Sequence, residues 1–326
     1  MPGNLYIEVT EQCNMNCPFC YTKFVPDFKD KESSYINSDM AAAIINNGNI
    51  KDGSDYDTVI FHGGEPLLYP DTINEILNKI KTKTNVSIQT NLNHNLTKKQ
   101  INLLIRFGGY GTSYSYDRFC NNKEALKKFE YNIKLLNSLG LKSSVIVTLT
   151  ESHMNNCNPR YLKEYLIDNL DIDYIVIERE AFPVKTIDND KKKFQDLYNR
   201  MDFYMVECAK IFPRDKNNLF KNMKKSIISN SSFFPVKCSK FVYTLFNDRL
   251  KYGCPSLESV NISNKEFMIK NKCFECKYFK YCQGDCECIN HICAFPINLC
   301  NYVKKCIEEE KNSEEYDYYG IRSVYK

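Results

Sequence analysis

The sequence has no tryptophan, an absence that decides little, but several other things it lacks are more informative. No apolar segment approaches the roughly 20 residues that a bilayer crossing requires. The N-terminus runs almost at once into a strand-like stretch, without the basic and apolar regions of a secretory signal. These absences lead us to expect a cytoplasmic protein with no membrane partner. Internal repeats and low-complexity tracts are also missing. Charge of one sign is not concentrated: the net charge of +4 is spread along the chain. The densest basic run, 191–193, opens an amphipathic helical pattern and reads as a solvated face, so no nucleic-acid partner is expected. With 43% hydrophobic and 26% charged residues, the composition is that of a globular protein.

What the chain has in excess is cysteine, 16 residues in 326. A reducing compartment disfavours disulfides, and a chain of this length does not need staples to build a core, so ligation of metal or cluster is the default. Three cysteines lie in the first 20 residues, three are scattered at 120, 157 and 208, and ten crowd between Cys238 and Cys306. Between the two groups the chain alternates β-rich runs (5–9, 58–62, 86–90, 111–116, 144–149, 174–178) with amphipathic helical stretches (39–49, 71–82, 97–107, 122–139, 159–169). Six βα units imply a parallel sheet with its site at the C-terminal strand ends. Residues 188–228 then read as two polar helices. Beyond them, 242–246 and 250–252 flank a hairpin loop at Asn247-Asp248-Arg249, 273–300 has little apolar periodicity, and 308–326 reads as a terminal helix with a loose tail.

Cys13, Cys17 and Cys20 form a CxxxCxxC spacing directly after the first strand. Three thiolates on one tight loop can hold three irons of a cubane and leave the fourth open; a structural zinc site would want a fourth ligand, and none lies nearby in sequence. The spacing, with Tyr21 after it, resembles the signature of radical S-adenosylmethionine (SAM) enzymes. The second strand ends in Phe61-His62-Gly63-Gly64-Glu65-Pro66, and its GGEP resembles the segment with which that family binds the SAM amino group. Glycines permit close backbone approach, and an acidic residue suits an ammonium group.

The resemblance implies an α/β fold: a partial (β/α)6 TIM-like barrel over 1–187, a helical bridge at 188–234, a small cysteine-rich iron–sulfur domain at 235–310 and a tail at 311–326. It implies a [4Fe-4S] cluster on Cys13, Cys17 and Cys20, with SAM bound by Phe19, Gly63, Gly64, Glu65 and Pro66. By position it adds Thr90, Asn91, Ser115, Asp117 and Thr148, each otherwise a capping or turn residue. Glu178 and Arg179 either face the cavity or form an ion pair. His62 points into the core, and His94, His153 and His291 are surface or packing residues.

The spacing Cys273-x2-Cys276-x5-Cys282-x3-Cys286 resembles the SPASM extension of these enzymes, which carries auxiliary [4Fe-4S] clusters. The family's crossing pattern, carried over, places Cys238, Cys254 and Cys286 on one cluster and Cys273, Cys276, Cys282 and Cys300 on another, with Cys306 in reserve. Cys288, Cys293 or Cys306 would complete the first, or that site is open to substrate. A zinc ribbon over 273–286 is the alternative.

The implied reaction is reductive cleavage of SAM to a 5′-deoxyadenosyl radical that takes hydrogen from a ribosomally made peptide, leading to a crosslink, thioether or epimerisation. Cys120, Cys157 and Cys208 fall outside the ligand patterns, so each is a hydrogen-donor candidate or a buried inert thiol. Expected partners are a peptide or protein substrate and an electron donor such as flavodoxin or ferredoxin. Because the chain starts at its first strand, leader recognition is expected from a separate protein, the barrel mouth or the second domain. Rival readings are a sulfatase-maturing-type oxidase, disfavoured by Pro255 after Cys254, a glycyl-radical activating enzyme, and a non-catalytic electron-transfer protein, which explains neither GGEP nor the six βα units.

Overall fold

The β-rich runs become parallel strands in the computed structural model, which describes residues 4–20, 35–48, 56–180, 189–229, 242–246, 249–252, 275–278 and 296–324. Strands β1 (Asn4–Glu8), β2 (Thr58–His62), β3 (Asn85–Ile88), β4 (Gly109–Tyr114), β5 (Lys142–Leu149) and β6 (Tyr174–Arg179) fall within two residues of the spans read from sequence, β2 to the residue. Their connections carry α1 (Ser38–Asn47), α2 (Pro70–Lys79), α3 (Lys98–Phe107), α4 (Tyr116–Phe119), α5 (Lys123–Ser138), α6 (Glu151–Asn156) and α7 (Pro159–Lys163), which continues as a π-helical turn over Glu164–Asn169.

Local chemistry sets these boundaries. Asn37, Thr97, Ser115, Asn122, Thr150 and Asn158 each accept a backbone N–H at a helix start, the usual work of short polar side chains there. Gly108, at φ 70°, ends α3 in the left-handed region and leads into β4.

Strands β1 to β3 pair in parallel, as do β4 to β6. Among the described residues the two groups meet at one bridge, Gln89 to Gly111, with Thr90 N–H donating to the Gly111 carbonyl at 2.9 Å. Towards the N-terminal ends, β3 and β4 diverge around a cavity of about 390 Å³ lined by Val86, Ile88, Gly109 and Lys142. The result is a mixed α/β fold, a sheet curled into a partial barrel. Leu5, Ile7, Val59, Phe61, Ile88, Val145, Val147 and Ile175 fill its core.

The hairpin is present as β7 (Val242–Phe246) and β8 (Arg249–Tyr252), and it joins the barrel sheet: β7 runs parallel to β1, with Asn4 opposite Val242 and Ile7 opposite Leu245. The two polar helices are α8 (Lys191–Ile211) and α9 (Asn218–Ser229), and a last helix, α10 (Ile297–Val324), packs on both. Asp202, 5% exposed on α8, fixes the start of α10 by accepting from the N–H groups of Asn298 and Leu299 at 2.8 and 3.1 Å and from the Asn298 side chain. Burial raises its carboxyl against the lowering effect of those donors. Cys238, Cys254, Cys273, Cys282, Cys286, Cys288, Cys293 and His291 lie outside the described residues. Among the described residues no helix is long and apolar enough to cross a membrane.

Candidate functional site

The C-terminal ends of parallel strands are where a barrel of this kind gathers its functional loops. The loop after β1 carries Cys13 (exposed), Cys17 and Cys20 (both half-buried), and the Cys20 N–H donates to the Cys17 carbonyl at 3.3 Å. The N–H of Met15 and the Asn91 side chain approach the Cys13 sulfur at 3.4 and 3.5 Å. Burial raises the Cys13 thiol, and these two N–H donors work in the opposite direction. Among the described residues no three histidine, cysteine or carboxylate side chains are placed to share one metal ion. A cubane makes a different demand, one thiolate per iron.

The GGEP segment is built against this loop. The Gly64 N–H donates to the Thr10 carbonyl and the Glu65 N–H to that of Gln12, both at 2.7 Å. A β-carbon on Gly64 would sit 2.1 Å from the Gln12 oxygen, and one on Gly63, where φ is 126°, 2.6 Å from that of Thr10. The glycines therefore let the second strand's loop press on the backbone that leads into the cysteines. Glu65 is fully buried. It accepts from the N–H of Leu67 (2.9 Å), the hydroxyl of Thr90 (2.8 Å) and the N–H of Asn91 (2.6 Å), and His94 Nε2 lies 3.3 Å away. Its carboxylate thus joins the β2 and β3 loops. Pro66 opens the 3₁₀ turn that Glu65 caps.

A cavity of about 530 Å³ adjoins the cysteine loop and is lined by Pro18, Phe19, Asp117, Thr150, Glu180 and Phe194, among others. Asp117 accepts a short hydrogen bond from the Thr150 hydroxyl. Burial, then the neighbouring Asp117, pushes the Glu180 carboxyl up to about 7. The backbone of Glu180 is held on both sides, its N–H by the Leu149 carbonyl at 2.9 Å and its carbonyl by the Tyr198 hydroxyl at 3.0 Å.

The other sequence candidates fall in different places. Thr90 and Ser115 spend their hydroxyls internally, on Glu65 and on capping α4. Thr148 is half-buried on β5 opposite Glu178, which is exposed, and Arg179 lies over the Tyr198 ring at 5.1 Å. Cys157 and Cys208 are 2% and 0% exposed, with thiols raised by burial, that of Cys157 to about 11. Cys120 is exposed at the end of α4. His62 and His153 are buried, and desolvation lowers each to about 4. His153 Nδ1 accepts from the Tyr116 N–H at 3.0 Å, and its Nε2 meets the Tyr204 hydroxyl at 3.3 Å. His94, expected among surface or packing residues, is one of the latter: its side chain is 9% exposed. Cys276 is exposed, whereas Cys300 and Cys306 are buried on α10. A 2.7 Å hydrogen bond from the Tyr278 hydroxyl to Asn301 ties the segment of Cys276 to the first turns of α10, where Cys300 sits.

Sequence reasoning missed Arg118 and Glu180. Arg118, 4% exposed on α4, donates to the Ser113 carbonyl and hydroxyl, to the Asn91 carbonyl and, from Nε, to the Met15 sulfur at 3.3 Å. A lone arginine in a four-residue helix gives no periodic signal, and Glu180 stands one residue beyond the strand end that was singled out.

Residues 7–155 match the model of the radical SAM superfamily. Over 96% of its length the chain is 22% identical to the radical SAM cyclopropyl synthase TigE of Paramaledivibacter caminithermalis, 75% of which is covered. Among solved structures it is similar to anSMEcpe with bound AdoMet (TM-score 0.64, 15% identity, 96% of both chains). It is also similar to Streptococcus suis SuiB bound to precursor peptide SuiA (TM-score 0.55, 16% identity, 80% of this chain and 61% of that one). The matched span contains both the cysteine loop and the segment locked against it, and residues 7–155 of this chain are a radical SAM domain.

Proposed function

We propose that this protein is a radical SAM enzyme that modifies a ribosomally made peptide. The observation that carries the reading is the joining of two motifs 50 residues apart in the chain: GGEP is hydrogen-bonded onto the backbone that leads into CxxxCxxC, beside a cavity that opens at Phe19.

The residues present fit a [4Fe-4S] cluster. Cys13, Cys17 and Cys20 supply three soft donors, and the two N–H groups aimed at the Cys13 sulfur suit a thiolate rather than a thiol. When bound and reduced, the cluster would supply the electron that cleaves SAM to the 5′-deoxyadenosyl radical. The chain's own residues do the rest. The backbone of Gly63 to Pro66 presents a fixed edge toward SAM, and Phe19 and Asn91 flank it. Thr90 and Ser115 act by holding Glu65 and α4 in place, and Thr148 and Pro66 complete the strand ends.

For the C-terminal part we propose two auxiliary [4Fe-4S] clusters in a SPASM-like domain, on Cys238, Cys254 and Cys286 and on Cys273, Cys276, Cys282 and Cys300. The tie between Tyr278 and Asn301 supports placing Cys276 and Cys300 at one centre. Support for a peptide substrate comes from the solved structures of SuiB with its precursor peptide and of anSMEcpe with AdoMet and the Cp18Cys peptide. An external reductant such as flavodoxin or ferredoxin would feed the clusters.

The test is anaerobic reconstitution followed by an assay of 5′-deoxyadenosine made from SAM with a strong reductant. The expected result is deoxyadenosine together with about twelve irons per chain, the sum for three four-iron clusters, and no cleavage when Cys13, Cys17 and Cys20 are all replaced by Ala. Cleavage that survives in the triple variant, or a folded wild type that binds zinc and leaves SAM intact, would end the assignment.

A further inference from the structure

Arg118 is a buried cation that has no ion pair among the described residues. Guanidinium groups stay charged in proteins, and burying one without a counter-ion is costly. Yet among the described residues no carboxylate lies within ion-pair distance of it. Its partners are neutral acceptors at Ser113, Asn91 and Met15, and its Cζ lies over the rings of Phe119 and Phe129 at 4.9 and 5.9 Å from their centroids. The groups whose negative charge would act on it are the Cys17 sulfur once deprotonated, the Glu65 carboxylate and the Cys13 sulfur once deprotonated. Glu65 is already engaged by three donors of its own. The charge left to balance Arg118 is the one the cysteine loop acquires when its thiols become cluster ligands.

The hydrogen bonds point the same way. The two N–H groups aimed at the Cys13 sulfur come from the backbone of Met15 and the side chain of Asn91. Arg118 donates to both residues, to the Met15 sulfur and to the Asn91 carbonyl.

We propose that Arg118 is a positioning residue that holds the N–H donors on Cys13 and whose fixed positive charge balances the cluster on Cys13, Cys17 and Cys20. The inference rests on the cluster assignment made above. Three thiolates on a doubly positive cubane leave one negative charge, and one-electron reduction by an external donor makes it two. A neighbouring fixed cation stabilises the reduced form more than the oxidised one, because net charge and hydrogen bonds to sulfur set such potentials.

The experiment is a redox titration of the reconstituted protein, with dithionite as reductant and no SAM, following the electron paramagnetic resonance signal that SAM addition is separately shown to perturb. R118M should shift the midpoint negative by at least tenfold in the one-electron equilibrium constant, 59 mV, and R118K should recover part of the shift. If R118M fails to fold or to load iron, R118Q removes the charge while keeping a donor toward Asn91, and the same shift is expected. A charge-free variant with the wild-type midpoint would overturn the proposal. So would a variant that lost only SAM affinity, since Arg118 would then pair with the carboxylate of SAM. If the wild type itself forms no SAM-responsive cluster, the failure belongs to the cluster assignment. If the wild type cleaves SAM and R118Q leaves its potential unmoved, the inference about Arg118 fails alone.

Discussion

Replacing Glu65 by Gln tests whether this residue is chiefly a structural junction. One carboxylate oxygen accepts from Leu67 and Thr90 and the other from Asn91. An amide can satisfy one side, but its NH2 then faces an N–H donor on the other. At least one bond to a charged acceptor is lost, and a buried donor is left unsatisfied, a cost of about 2–4 kcal/mol. The loss is local, so amide hydrogen exchange suits it better than global unfolding of a chain of this size. Peptides covering residues 64–70 and 89–94 should exchange about 30-fold to 1,000-fold faster in the metal-free E65Q protein, because each ~1.4 kcal/mol is a factor of ten. As a control, E75Q on the outer face of α2, where Glu75 accepts from Ser38 in an exposed bond, should leave those peptides within about twofold of wild type. Wild-type exchange at both segments in E65Q would refute the argument and return Glu65 to the role read from sequence, a carboxylate kept for the ammonium group of SAM.

Gly64→Ala places a β-carbon against the Gln12 carbonyl from 2.1 Å, so the GGEP loop must leave the cysteine loop and lose the two backbone bonds between them. A destabilisation of about 3–5 kcal/mol is expected from overpacking plus those bonds; an unchanged urea midpoint would contradict it. For acid sensitivity, the folded-state pKa of His153 is about 4 against 6.5 in the unfolded chain, so its contribution is full above pH 6.5 and falls as pH drops toward 4. Between pH 7.5 and 5 this costs about 2 kcal/mol. Glu180 acts oppositely, because its raised pKa makes the folded state take up its proton first. The quantity to measure is therefore the stability difference between wild type and H153Q at the two pH values, in which Glu180 cancels; a difference that does not change with pH would refute the reasoning. Finally, iodoacetamide at pH 8 should label Cys120 within minutes in the metal-free protein and leave Cys157 and Cys208 unlabelled until unfolding, which mass spectrometry of the alkylated peptides would check.

How far the sequence speaks can be judged element by element. Strand β2 matched to the residue and α5 to within one at each end, because both carry several turns or alternations of clean pattern. The helices α4 and α6, four and six residues long, were invisible, since so few positions hold no period. Ser115 and Thr150 each cap a short helix at a strand end, and the first is a ligand candidate on position alone. The cysteine loop and GGEP were legible as chemistry, yet their mutual hydrogen bonding was not, because it depends on the register of β1 against β2. Arg118 and Asp202 escaped for a related reason: their partners lie up to 103 and 97 residues away.

The seam between β3 and β4 has a mechanical consequence. The cysteine loop and GGEP belong to the strands on one side of it, and Asp117, Thr150 and Glu180 to the other. At the mouth the halves are riveted: Arg118 reaches across to Asn91, and Asn132 of α5 donates to the carbonyls of Leu92 and His94 at 2.9 and 2.8 Å. At the opposite end they stand apart around a void. The barrel is therefore built like a clothes-peg, its jaws pinned by hydrogen bonds where the chemistry is proposed and its halves unjoined at the far end.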